Sequence, residues 1–405
     1  MKERRMLFPR QTWRYMLMRI VFAAVTTILS LFVNTFLLKS FGNFSAELIS
    51  YQVILRAAQP VGVFCALLIS SRGVPVVAQV LGLVMYLISL GLLCLFGEAV
   101  SGLYPVFAVL LGFADAFFFC VNCMQILSFT TDENRDRFNG LLSLITGGIA
   151  IALPTVSGWL IQYFPDFTGY RIVFGFAAAC AAVSLFLAAR LPVRREKKSL
   201  SQIGATMKRI LTNKNCLRCI AANAISSCRG NVLSVFLTML VYNLISSETV
   251  IGLRSTFGSI AGLASAAIYG MAIRSSNRTK SSVVAMVLVL LPCVWMLFEL
   301  NVAVLMVFSV VYASADTFLG TPISFTYYKS VEALGLKGDS GAEAQLAADI
   351  FVALGVIPGF LLMGVIPKTN DWAVALIVAM ILTSVVTTAL IRAADKDLNI
   401  RKVGS

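Results

Sequence analysis

The sequence predicts an all-α polytopic membrane protein of twelve transmembrane helices, arranged as two pseudo-symmetric bundles of six. Three observations predict it. Of 405 residues, 59% are hydrophobic and only 13% are charged, whereas soluble domains carry about 25% charged residues. Apolar stretches of about 20 residues, the length that crosses a bilayer, recur along the whole chain. A motif with a carboxylate inside an apolar helix is written twice, as Ala114-Asp115-Ala116-Phe117 and Ala315-Asp316-Thr317-Phe318.

The spans fall at roughly 14–38, 47–69, 75–97, 103–128, 138–163, 169–191, 217–243, 249–272, 281–299, 302–327, 342–365 and 372–392. Their connections are short except one. The basic, polar segment from Pro192 to Lys214 divides the chain. The expected organisation is therefore a six-helix bundle over 1–192, a basic linker over 193–215, a second bundle over 216–393 and a tail over 394–405. Further echoes support a duplicated unit. Ser45-Ala-Glu47 matches Ser246-Ser-Glu248, and Gly140 and Gly158 match Gly341 and Gly359 at one offset.

The net charge of +14 does not point to nucleic acid, because Lys and Arg sit in alternate loops. One set of loops holds Arg4, Arg5, Arg72, Arg135, Arg194, Lys197, Arg278 and Lys396 among others; the opposite set holds only Lys39, Arg171 and Lys368. The positive-inside rule then places both termini and the linker in the cytoplasm, in a multi-pass cell-membrane protein in contact with membrane lipids. No cleavable signal peptide is expected after Met1-Lys-Glu-Arg-Arg5. The nine cysteines lie mostly inside apolar spans and read as small apolar residues, not as a disulfide framework.

Twelve spans as six plus six, with cytoplasmic termini and a basic central segment, resemble the major facilitator superfamily. The family's loop signature Gly-x-Leu-x-Asp-x-x-Gly-Arg is degenerate here. Leu68 and Gly73 match in the first copy, Gly270 and Arg278 in the second. Of the family's span-five antiporter motif, Gly140, Pro154 and Gly158 survive. The resemblance implies alternating access, with Gly270, Arg278, Pro154 and Gly158 as gating positions and spans five, eight and eleven in the rocking interface. Gly258-Ser-Ile-Ala-Gly262 and Gly355-Val-Ile-Pro-Gly359 are small-residue stretches in those spans. They fit a moving contact and equally a static one.

Four charges sit near the predicted midplane: Arg56, Asp115, Arg229 and Asp316. A carboxylate in a bilayer is costly unless paired, protonated or wet. These four are the expected substrate and proton-coupling residues; the alternative is a static Arg–Asp pair within each half. A second tier holds Arg254, Asp349, Phe117 and Phe118, the phenylalanines as a surface for an amphiphilic substrate. Arg19 reads as a snorkelling residue.

Two functional readings follow. One is proton-coupled export of small amphiphilic molecules, with Asp115 and Asp316 carrying the proton or another coupling ion. The other is a carrier for an organic anion or zwitterion, or a lipid or glycolipid flippase, with Arg56 and Arg229 gripping the acidic group. Cys120/Cys123 and Cys216/Cys219 each place two thiols on one helical face, but no histidine exists to complete a zinc site; no metal and no cofactor are expected. The chain has no nucleophile–His pair and no Walker loop, so an enzyme is not expected. A monomer is expected.

Overall fold

A computed structural model describes residues 8–41, 46–130, 134–191, 200–272, 278–336, 339–365 and 372–403. It is helical throughout, with no strand among the described residues. The first six spans are α1 (Arg10–Phe41), α2 (Ala46–Ser71), α3 (Pro75–Phe96), α4 (Tyr104–Phe129), α5 (Arg135–Tyr163) and α6 (Thr168–Ala189). A short helix, α7 (Leu200–Thr212), follows. The last six are α8 (Lys214–Ile245), α9 (Glu248–Ala272), α10 (Arg278–Phe298), α11 (Val302–Glu332), α12 (Asp339–Val365) and α13 (Trp372–Val403). Eleven of these helices are long and apolar enough to cross a membrane, and α10 carries a shorter apolar stretch over Lys280–Met296.

Local signals set several ends. Pro75 and Pro105 stand in the first turns of α3 and α4, where the missing N–H has no intrahelical role. Asn213 accepts from the N–H groups of Asn215 and Cys216 at the start of α8, and Asn301 from Val304 at the start of α11. Gly73 turns the chain between α2 and α3 with φ 86°, a conformation that only glycine adopts without cost.

Within the first six helices, α4 packs on α2 and α3, α6 on α3 and α1, and α5 on α1. Within the last six, α8 packs on α11, α12 and α13, and α11 on α9 and α10. The most extensive contacts between the halves are α5 with α9 and α2 with α12, and smaller ones join α4 to α12 and α1 to α8. The core is aromatic in the first half, with Phe22, Phe36, Tyr86, Phe118, Tyr170 and Phe174 fully buried. Large apolar side chains such as Leu95, Leu144, Met271, Phe298 and Leu362 are exposed on the periphery, as lipid contact requires.

The described part of the linker is helical, not a basic loop. This part, α7, buries Ile203 and Ile210. The helix packs on α12 and α8, and Arg209 donates to the Leu334 carbonyl at 2.8 Å. The reason is amphipathic spacing: Ile203, Met207, Ile210 and Leu211 fall on one helical face.

Candidate functional site

The α5–α9 seam is built from glycine. A methyl group on Gly158 would collide with the Glu248 carbonyl, and one on Gly252 with the Pro154 carbonyl. Each helix thus offers a glycine where the other's backbone passes. Hydroxyls add to the contact: Thr256 donates to the Ile151 carbonyl at 2.6 Å, and its oxygen lies 2.8 Å from that of Thr155. Toward the face opposite the chain ends, Ser247 donates to Gln162 at 2.7 Å and Tyr170 to Glu248 at 3.0 Å.

The other small-residue stretches lie elsewhere. Gly355 and Gly359 receive Ala224 and Cys228 of α8, and Gly258 faces Ala313 of α11. Of the two readings left open for these stretches, the contacts favour close packing inside the last six helices. Gly270 has open space around it and Gly140 likewise. Arg278 opens α10, its side chain lying outside the described residues.

The four midplane charges do not form two equal pairs. In the second half Arg229 donates to Asp316 at 2.9 Å, and also to Ser384 and Ser226 at 3.1 and 3.2 Å. Tyr312 lies 3.5 Å from the same Asp316 oxygen. The Arg229 side chain is 2% exposed and that of Asp316 46%. In the first half Arg56 and Asp115 form no ion pair. Gln59 stands between them, accepting from Arg56 at 3.2 Å and donating to Asp115 at 3.0 Å. The other carboxylate oxygen accepts from the Tyr86 hydroxyl. Arg56 also reaches across to the second half and donates to Asn231 of α8 at 2.5 Å. An ion pair is therefore present between Arg229 and Asp316 and absent between Arg56 and Asp115.

Gln59, Tyr86, Asn231 and Tyr312 were not among the sequence candidates. Two had a local signal. Gln59 is three residues from Arg56 and Tyr312 four from Asp316, spacings that put them on the same helical face. Tyr86 and Asn231 meet their partners only through tertiary packing.

Phe117 and Phe118 do not face an open site. Phe118 stacks on Phe22 at 3.6 Å between ring centroids, and the Phe117 Cβ and the Phe118 backbone nitrogen lie against Gly82 of α3. They are buried at helix contacts because Gly82 admits the α4 backbone; this corrects their assignment as a substrate surface. Arg19 lies over Phe118 and Phe119, 5.8 and 6.0 Å from the ring centroids. Asp349 accepts from Gln345 at 3.0 Å on its own helix. Arg254 is buried at 7% exposure and donates to Thr238 at 3.0 Å. It borders a cavity of about 220 Å³ between α1, α8, α9 and α11. Among the described residues no group of three or more His, Cys, Asp or Glu could hold a metal ion.

The sequence profile of the Major Facilitator Superfamily matches residues 15–336. The uncharacterized protein YqgE of Bacillus subtilis (strain 168) is 23% identical over 300 residues, 73% of this chain and 69% of that protein. Among solved structures, the D-xylose-proton symporter superposes with a TM-score of 0.71 at 12% identity, over 93% of this chain and 96% of that one. An inward-facing bacterial homologue of the iron transporter ferroportin gives 0.66 at 14% identity, over 95% and 98%. Those two likenesses show the fold. With the profile matched over most of the chain, and twelve long helices joined along α5–α9 and α2–α12, this protein belongs to the major facilitator superfamily of secondary transporters, which work by alternating access.

Proposed function

We propose that the protein is a proton-coupled carrier of a small organic anion or zwitterion, with Asp115 as the proton-carrying group and Arg56 as a contact for the substrate's acidic group. The observation that carries this reading is the contrast between the two motif aspartates. Asp316 has a guanidinium as partner, so proton uptake there would break an ion pair. Among the described residues Asp115 has only the neutral donors Tyr86 and Gln59, so gaining a proton breaks no ion pair there. Arg56 likewise has no carboxylate within 4 Å among the described residues and reaches Asn231 in the other half. A change at Asp115 is thus passed through Gln59 and Arg56 to the contact between halves.

The exporter-of-amphiphiles reading drew on Phe117 and Phe118 beside Asp115, and the burial of those two between helices weakens that support. A flippase variant has no specific observation in its favour. The test is uptake into proteoliposomes of a panel of labelled carboxylic and amino acids under an imposed pH gradient. Gradient-driven accumulation lost in Asp115→Asn, with substrate exchange retained, supports the reading. Accumulation that survives Asp115→Asn sinks it. Arg56→Ala is expected to abolish anion transport; lipophilic-cation transport spared by that change would instead restore the exporter.

A further inference from the structure

Arg254 is a buried guanidinium with no ion-pair partner among the described residues. It sits on α9 opposite the seam: Gly252 and Thr256 face α5, and Arg254, midway between them along the helix, points the other way. Its one hydrogen bond is to the neutral Thr238 hydroxyl, and its Nε has no partner among the described residues. Guanidinium stays charged at any physiological pH and carries five donors in a planar fork. A buried charge of this kind is costly unless an anion meets it.

The cavity that it borders is polar where it needs to be. Ser234 and Ser255 line it, and neither hydroxyl has a hydrogen bond to the described residues. Ser30 and Ser309 line it too, but their protons go to the carbonyls of Thr27 and Leu305. Tyr312 completes the lining one helical turn from Asp316. The acids on α9 and α11 that flank this region, Glu248 and Asp316, have other partners, Tyr170 and Arg229. About 220 Å³ is enough for a carboxylate- or phosphate-bearing group of several non-hydrogen atoms.

We infer that this cavity is an anion subsite, in which Arg254, Ser234 and Ser255 bind the carboxylate or phosphate of a solute. The lining includes Ser30 and Leu31 of α1 as well as α8, α9 and α11, so the bound group touches both halves of the molecule. The subsite adds a second contact to the anion-carrier reading above. It does not depend on Asp115 or Arg56, because it is a claim about equilibrium binding.

The test is thermal stability of the purified full-length protein with sodium succinate, inorganic phosphate or glycerol 3-phosphate, against sodium chloride at equal ionic strength. A carboxylate or a phosphate probe is expected to raise the melting temperature of the wild type and of Asp115→Asn. The shift is expected to disappear in Arg254→Gln. In Ser234→Ala/Ser255→Ala, which leaves the guanidinium in place, the probe's apparent affinity is expected to fall about tenfold. Response to succinate alone or to the phosphates alone identifies which group the subsite takes. Equal response of wild type and Arg254→Gln, no response to any probe beyond chloride, or full affinity in the double serine variant overturns the inference. The double serine variant decides the matter if Arg254→Gln does not fold. Anion binding retained in an Asp115→Asn protein that still accumulates solute would fail the proton reading and leave the subsite standing.

Discussion

Arg56 and Asp115 lie on neighbouring helices of one half and do not touch; the amide of Gln59 bonds to both. Charge in the first half is therefore relayed through a neutral group whose two ends do opposite work, oxygen to the guanidinium and nitrogen to the carboxylate. Gln59→Leu is expected to destabilise the protein, since a partly buried polar group left unpaired costs about 1–3 kcal/mol. Arg56→Met on the same background is expected to recover part of the loss, because the guanidinium that needs the amide is gone. A double-mutant cycle by detergent unfolding measures the coupling. Additivity to within about 0.3 kcal/mol would refute the relay.

The Arg229–Asp316 pair is lopsided, with one partner buried and the other half exposed. Asp316→Ala leaves a guanidinium with no countercharge inside the protein, whereas Arg229→Met leaves a carboxylate that water reaches. Breaking a buried pair costs about 3–5 kcal/mol. The exposure of Asp316 places this pair at or below the low end of that range. The expected order is wild type, Arg229→Met, then Asp316→Ala, read from midpoints of thermal or denaturant unfolding. The reverse order would mean that Arg229 is not held chiefly by Asp316.

At the α5–α9 seam, Gly158→Leu or Gly252→Leu forces the helices apart, and overpacking of this kind costs typically 1–3 kcal/mol. A cysteine placed at Thr155, which packs on Thr256, is then expected to react with a water-soluble maleimide at least several-fold faster. Gly359→Leu, which collides with Cys228 inside the last six helices, is expected to lower stability and leave that labelling rate unchanged. Equal labelling in all three variants would show that the glycines do not hold the seam.

The docking of α7 is also measurable. Ile210 is fully buried against the ends of neighbouring helices. Ile210→Asp puts a carboxylate there and is expected to release the helix, so that trypsin cuts after Lys208 or Arg209 faster than in the wild type. Unchanged cleavage would mean that the helix is held by other contacts, such as Arg209 on Leu334.

Much of the fold was legible because bilayer crossing leaves a long, uniform signal: each of the twelve expected spans overlaps one long helix. Helix α7 was hidden by its composition. Its basic residues suggested a loop, while the spacing of Ile203, Met207 and Ile210 carried the information. At the site, the aspartates and arginines stood out because charge inside an apolar span is rare. Their partners did not, since which helix lies beside Asp115 is a tertiary fact. The same limit explains Phe117 and Phe118. Sequence shows that aromatic side chains neighbour Asp115 along α4, but not that Gly82 draws α4 onto α3 and turns two of them inward.

The unequal surroundings of the two motif aspartates bear on what the membrane potential can do. A duplication supplies two acids, yet one is ion-paired with Arg229 while the other is met by uncharged donors. On the proposed mechanism a transport cycle then moves one proton, not two. A monoanion carried with that proton crosses with no net charge, and its distribution follows the pH gradient alone. A dianion carried the same way moves one negative charge, worth about 2.3 kcal/mol for each 100 mV across the membrane. The divergence of one half from the other would thus set the electrical stoichiometry of the carrier.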